Sequence, residues 1–374
     1  MTVCDFLIIG GGIAGASLGA ELSAHGNAIV LERESAPGYH STGRSAALYM
    51  ENRGSSIVRA LVTASGSFFR NPPDGFSDHP LLLPRGMLIV AREDQLPLLA
   101  KHATAMAVPT SARLDAAGIR ALLPVARDGY AVAAIHDPGA CDLNTESTLR
   151  GYLRMLGRRG GRLICDAEVT AIARDGKSWR VNTRHDTFDA GVVVNASGAW
   201  ADTLASLAGL PPLGLAPLRR TVALVPPPEG VAVEHWPLVI DAGEQFYFKP
   251  EGGRVAICPC DETPSLPCDA QADEMDVAIA ADWLIQATTI DVRRIAHRWA
   301  GLRTFAPDRA PVVGIDPLAE GFFWYAGLGG YGIETCAALA RLGASLLVSR
   351  TIPTDLAARG LTTEALEPAR LRPG

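Results

Sequence analysis

The sequence predicts an α/β chain (α+β overall): a Rossmann-like nucleotide-binding domain with an inserted antiparallel-sheet domain. Three observations predict it. A glycine-rich β-α-β unit opens the chain at residues 5–32. A second glycine-rich turn, followed by a long alanine-rich helix, occupies residues 327–348. Between them lie blocks rich in short strands and proline. A length of 374 residues suggests two domains, and 48% hydrophobic residues are enough for a large core.

The opening unit is the most specific stretch. Residues 6–9 are an apolar run suited to a buried strand, and residues 28–31 are a second one, closed by Glu32. Between them Gly10, Gly12 and Gly15 spell G-x-G-x-x-G at the start of a helix expected over 13–24. Gly10 lets the chain turn sharply out of the strand. Gly12 lets a pyrophosphate approach the backbone, and Gly15 lets helix and strands pack closely. The helix N-terminus offers free N–H groups and partial positive charge to phosphates. Glu32, about 20 residues on, can accept from a ribose 2′-OH and disfavours a 2′-phosphate. Strand, glycines, helix, second strand and acid form the context that gives the motif meaning.

Residues 33–47 follow as a loop dense in Ser, Thr and Gly around Arg44, able to offer hydrogen bonds to a ligand on the first unit. Helices are expected over 57–69, 95–106 and 115–122, and strands over 86–91 and 131–136. Proline and glycine clusters end several of them. Asn144 or Thr145 caps a further helix, followed by strands at 162–165, 168–174, 179–183 and 191–195. The last opens through Ala196-Ser197-Gly198-Ala199-Trp200 onto a helix, a second place for backbone to meet a ligand. Strands at 221–225, 245–249 and 254–259 and a helix over 276–288 continue the inserted domain. Residues 299–349 are expected to revert to the nucleotide-binding style, with a strand at 322–326. The tail after Arg350, with Pro353, Pro368 and Pro373, reads as a surface extension.

Net charge of −6 gives no electrostatic support for a nucleic-acid partner. No stretch reaches the roughly 18 apolar residues of a membrane span, and no signal peptide is evident. Seven scattered cysteines fit a reduced cytoplasmic chain, with room for peripheral membrane association. Cys258, Cys260 and Cys268 do not have usual zinc spacing, so no metal is expected. Asn195-Ala196-Ser197 matches a glycosylation pattern but lies at a buried strand end.

Taken together, the chain resembles the D-amino-acid oxidase-like family of FAD enzymes over nearly its whole length. Its form is similar to the bacterial FAD-dependent catabolic D-arginine dehydrogenases. The stretches that carry this are Gly38-Tyr39-His40-Ser41-Thr42-Gly43-Arg44-Ser45-Ala46-Ala47, Val194-Asn195-Ala196-Ser197-Gly198-Ala199-Trp200, Phe246-Tyr247-Phe248-Lys249-Pro250, Trp299-Ala300-Gly301-Leu302-Arg303 and Gly329-Gly330-Tyr331-Gly332-Ile333. The resemblance implies an FAD-binding domain over 1–47, 144–210 and 299–374, and a substrate domain over 48–143 and 211–298. It implies cofactor contacts from Gly10, Gly12, Ala14, Gly15, Glu32 and Arg33, and from Ser41, Thr42, Gly43, Arg44, Ser45, Ala46 and Ala47. Further contacts are implied for Val169, Ser197, Gly198, Trp200, Gly301, Gly329, Tyr331, Gly332 and Ile333.

The implied activity is oxidation of an amino acid by hydride transfer from Cα to the flavin, then hydrolysis to an oxo acid and ammonia. The protein positions the substrate, while the flavin carries the chemistry. Arg303 matches the family's carboxylate-binding Arg, whose planar fork suits two parallel charge-assisted bonds. Tyr247 matches a tyrosine on the same carboxylate, and Arg220 a further pocket Arg, with Arg219 on the opposite strand face. Gly330, Tyr331 and Glu334 match a loop bordering flavin and substrate.

The departures bear on the substrate. Arginine-type members carry an acid after Pro84-Arg85, where this chain has Gly86-Met87-Leu88, and a His where it has Leu48. Glu334 replaces an amide. A neutral, hydrophobic or N-substituted amino acid follows better than D-arginine. Thr304-Phe305-Ala306-Pro307-Asp308-Arg309 holds no Cys for a covalent flavin, so FAD is expected to bind noncovalently. The electron acceptor is a quinone-type molecule or O₂, the dehydrogenase resemblance favouring the former. The alternatives are oxidation of N-methylated or cyclic amino acids or of 2-hydroxy acids on the same fold, and a non-catalytic flavin electron-transfer subunit.

Overall fold

The computed structural model describes residues 1–106 and 111–372. Two sheets organise them. The first has eight strands. At its centre strand Thr2–Ile9 pairs in parallel with Ala28–Leu31 on one side and with Thr187–Asn195 on the other. These strands are apolar because helices cover them. Helix Ile13–Leu22 is buried on nearly all faces, packed between the sheet and helices Thr145–Arg158 and Gly332–Val348. A Cβ at Gly15 would lie 1.9 Å from the Gly10 carbonyl oxygen, so only glycine permits this approach of helix to strand.

The second sheet has nine strands and is mostly antiparallel. Its strands come from Met87–Ala91, Ala112–Asp115 and Ala133–Asp137, then from 216–264, and finally from His297–Phe305. One face packs Leu88, Val239, Phe248 and Ile257 under helix Glu274–Ala287. The other face gathers Met87, Ile89, Leu238, Ile240, Tyr247 and Cys258. Three short strands, Leu48–Tyr49, Leu82–Pro84 and Cys141–Leu143, form a small third sheet.

The expected helices are present with shifted ends. Ser55, Asp115, Asn144 and Asp273 each accept a backbone N–H at a helix start. The expectation for residues 299–349 needs correction. Strand His297–Phe305 runs across the expected boundary at 299 and pairs antiparallel with Ala216–Val225 from His297 opposite Leu224 to Phe305 opposite Ala216. Its polar and apolar residues alternate, with exposed His297 and buried Ala300, Leu302 and Thr304, a period-2 pattern that glycine and arginine obscure in the sequence. The tail is also no surface extension. Leu356, Leu361 and Leu366 are buried in the main core, and Arg372 reaches the buried Asp316. Pro373 lies outside the described residues. Among the described residues no helix is long and apolar enough to cross a membrane.

Candidate active site

A cavity of about 350 Å³ runs between the two sheets. One end lies at Glu32, Arg33 and Val169, the middle at Gly10, Gly12 and Ala14, and the far end at Arg220, Tyr247 and Arg303. Its size falls within the ordinary range for ligand sites.

The near end is built mostly of backbone. Gly10 has φ of +114°, and a Cβ there would lie 2.4 Å from the Ala196 carbonyl oxygen. The buried Glu32 carboxylate accepts the N–H groups of Gly11 at 2.8 Å and Glu34 at 2.9 Å, which fixes it beside the glycine turn. The Thr42 hydroxyl accepts the Ile13 N–H at 3.0 Å and so caps the first helix from the adjoining loop. Other lining residues of the loop also hold the two sheets together. The Ser41 hydroxyl donates to the Leu302 carbonyl at 2.6 Å. Arg44 donates to the Ala270 and Ala300 carbonyls and pairs with Asp269. Ser45, Ala46, Ser197, Gly198 and Gly301 also line the wall. Arg33 lies over the Trp200 ring, 5.0 Å from its centroid. Asn195 is fully buried and donates to the Ala201 carbonyl, which removes it from any surface role.

The far end is built of side chains from three strands. Arg303 is half-buried, and among the described residues no carboxylate or carbonyl engages its guanidinium. Gly330 backs it closely, since a Cβ there would lie 2.9 Å from Nη1. Arg220 is held: its Nε donates to the Asp261 carbonyl at 2.7 Å and Nη2 to Glu262 at 3.3 Å. Arg309 makes two bonds to the same Glu262. Arg219 points the other way, to Asp276 at 2.9 Å. Burial and the neighbouring Cys258 push the Tyr247 phenol well up, against the lowering effect of Arg303 and Arg220, so it stays a hydrogen-bond donor.

Six of the expected residues lie behind the cavity lining. Gly15 and Gly43 support the backbone, Gly43 through its N–H to the Gly38 carbonyl. The Ala47 carbonyl accepts from Leu143. Leu48 sits opposite Asp142 in the small sheet. Tyr331 precedes the C-terminal helix and approaches Gly54, whereas Gly329, Gly332 and Ile333 do line the cavity. Glu334 is buried and accepts the Met50 N–H at 3.1 Å. Burial pushes its carboxyl up to about 8, against the Met50 N–H, Arg53 and Arg303.

The sequence reading missed His40, Val222, Thr304, Tyr325 and Ala326 in the lining. His40 could have been found from its place inside the loop motif. The others come from strands whose facing direction is set only by pairing.

A family model described as FAD dependent oxidoreductase matches residues 5–346. The chain belongs to this family. The FAD dependent oxidoreductases bind FAD, and the cavity fits that group: at Gly10 a Cβ would meet backbone, and the buried His40 Nδ1 and Thr304 Oγ1 in the wall have no partner among the described residues. Glycine oxidase from Geobacillus kaustophilus is 24% identical over 96% of both chains. Its crystal structure matches with a TM-score of 0.83, covering 97% of this chain and 99% of that one. The crystal structure of L-proline dehydrogenase from P. horikoshii gives a TM-score of 0.85 at 18% identity, covering 99% and 98%. An uncharacterized oxidoreductase, YurR, of Bacillus subtilis is 23% identical over 94% of this chain and 97% of its own length.

Proposed function

We infer that this FAD dependent oxidoreductase oxidises a neutral D-amino acid to the imino acid, which water converts to an oxo acid and ammonia. The observation that carries the reading is Arg303: a half-buried guanidinium at the cavity end with no protein partner among the described residues. A half-buried cation without a protein partner is stabilised by a bound anion, and its planar fork suits a carboxylate. Tyr247, kept protonated, can donate to the same carboxylate. Glu334 is neutral over much of the physiological range and so does not repel it.

Noncovalently bound FAD supplies a two-electron acceptor at this site. The chain's own residues clamp the carboxylate with Arg303 and Tyr247, which fixes the direction of the substrate Cα–H. Among the described residues no cavity side chain is placed as a strong base, so the amine enters deprotonated. Cavity-lining Tyr247 belongs to the apolar cluster of Met87, Ile89, Leu238 and Ile240, with Leu48 and Met50 packed against it, and such surroundings suit a neutral substrate side chain. The absence of an acid at Met87 argues against a cationic side chain, and the motif resemblance to D-arginine dehydrogenases supports the D configuration and a quinone-type electron acceptor.

The test is anaerobic mixing of the FAD-loaded protein with single D-amino acids, their L-enantiomers, N-methylglycine and 2-hydroxyglutarate, following flavin absorbance. Bleaching by neutral D-amino acids, weak with D-arginine, is expected. Bleaching only by N-methylglycine or the hydroxy acid would move the function to that class. No bleaching by any of them would favour an electron-transfer subunit. Reoxidation by a quinone analogue and by O₂, compared on the bleached enzyme, identifies the acceptor.

A further inference from the structure

Cys258 and Cys260 flank Pro259 at the end of strand Arg254–Cys258. Cys258 is fully buried and stands directly opposite cavity-lining Tyr247 in the sheet register, in the same side-chain cluster and one layer behind the cavity wall. Cys260 is half-buried. Its backbone has φ of +54°, the left-handed region that a non-glycine residue enters only when its surroundings hold it there. This turn folds the chain back on itself, and the Cys260 N–H donates to Cys258 Sγ at 3.4 Å. Two residues of chain span at most about 7 Å, close to the upper limit for Cα atoms joined by a disulfide. The turn shortens that span.

The electrostatics favour one thiolate. Burial raises the Cys258 thiol, but the Cys260 hydrogen bond and the guanidiniums of Arg220 and Arg303 outweigh it and hold it below the ordinary thiol value. The hydrogen bond to Cys258, with burial, raises Cys260 and leaves the proton there. A low thiol beside a resolving thiol suits reaction with an oxidant that can reach it, and half-buried Cys260 is the side from which a molecule as small as hydrogen peroxide reaches buried Cys258.

We propose that Cys258 and Cys260 form a peroxide-reactive dithiol site that closes to a disulfide and displaces Arg220, the pocket guanidinium beside the carboxylate clamp. The Cys258 thiolate attacks one oxygen of hydrogen peroxide: an S–O bond forms, the O–O bond breaks, and the departing hydroxide leaves as water after taking a proton. The Cys260 sulfur then attacks Cys258 sulfur. An S–S bond forms, the S–O bond breaks, and hydroxide leaves with the Cys260 proton as a second water. Two thiols are oxidised, and one peroxide is reduced. The next two residues hold Arg220, through the Asp261 carbonyl and the Glu262 carboxylate. Drawing Cys260 onto Cys258 shifts that carbonyl and releases the guanidinium. The effect on the clamp rests on the proposed amino-acid reading; the bridge does not.

The experiment treats the FAD-loaded protein with graded hydrogen peroxide, blocks free thiols with N-ethylmaleimide, and maps all cysteines by mass spectrometry. The exposed Cys268 reports reagent access. Cys258 and Cys260 are expected to escape labelling together, in a peptide lighter by two hydrogens, and to return with dithiothreitol. The KM of the best amino acid rises about tenfold, the loss of one charged hydrogen bond, with the flavin spectrum unchanged. In Cys260→Ala the bridge cannot form, and Cys258 sulfenic acid is captured by dimedone. Full labelling of both thiols after Cys268 has been oxidised would overturn the site. A complete bridge with unaltered KM would overturn its link to Arg220. If no amino acid is turned over, the reading of the substrate fails while the thiol map still decides the site.

Discussion

The two ends of the cavity are made in opposite ways. The near end is nearly contiguous in sequence, spanning the glycine turn, Glu32 and Thr42, and the Glu32 carboxylate and Thr42 hydroxyl are engaged within the protein. The far end draws Arg220, Tyr247 and Arg303 from three strands of one sheet and leaves Arg303 without a partner among the described residues. The near end works by shape: what matters is where backbone leaves room. The far end works by unsatisfied charge, and it keeps that charge exposed to the cavity at a cost in stability. Errors at the first should appear in folding and flavin content. Errors at the second should appear in kinetics.

Substitutions can break or sharpen this contrast, beginning with the largest effect. Gly10→Ala places a Cβ 2.4 Å from a backbone oxygen at a positive φ. It should cost about 3 kcal/mol or more and yield colourless protein with a lowered thermal midpoint; a yellow variant with full flavin occupancy would remove the steric account. Arg303→Met should lower kcat/KM about a thousandfold, roughly 4 kcal/mol, at unchanged flavin content. A loss below tenfold would show that the guanidinium does not clamp the substrate.

Glu334 sharpens the comparison because it is a far-end group with a stability signature. Its folded value of about 8 lies above the ordinary 4.5, so the folded protein keeps a proton that the unfolded chain gives up. The stabilisation from neutral Glu334 is full below about pH 4.5 and is lost as pH rises through 8. Between about pH 5.5 and 8.5 the wild type should lose roughly 3 kcal/mol that Glu334→Gln does not. Urea titrations of both proteins at the two pH values measure this, and parallel losses would refute it. The smallest effect is expected from Tyr247→Phe: KM rises about tenfold through one lost hydrogen bond to a charged group, with kcat nearly unchanged. A fall in kcat alone would give the phenol a different part.

The near end was legible because its geometry is local. The spacing of Gly10, Gly12 and Gly15, the apolar runs on either side and the acid at Glu32 are all set within one β-α-β unit, and they lie where that unit requires. The far end was legible only by resemblance, since nothing in the residues around Arg303 announces a strand paired to one some eighty positions earlier. Arg44 teaches a related point. Its surroundings suggest a ligand contact, yet its guanidinium spends its donors on Ala270, Ala300 and Asp269. Which partner an arginine finds depends on what the fold brings to it. Similarly, the buried leucines of the tail are separated by polar residues without helical or strand periodicity, so their packing is invisible until the core surface exists.

Strand His297–Phe305 touches both ends. Gly301 lies against Ser41 and Arg44 of the loop over 33–47, and Arg303, two positions on, reaches the far end of the cavity. The strand therefore acts as a ruler. Two residues of extended chain measure about 7 Å along it, so the offset between the loop contact and the far-end guanidinium is written into a covalent rise, with no hinge between them. Adding one residue between Gly301 and Arg303 would invert the reading: the guanidinium would swing to the reverse side of the sheet, and the gauge would point at nothing.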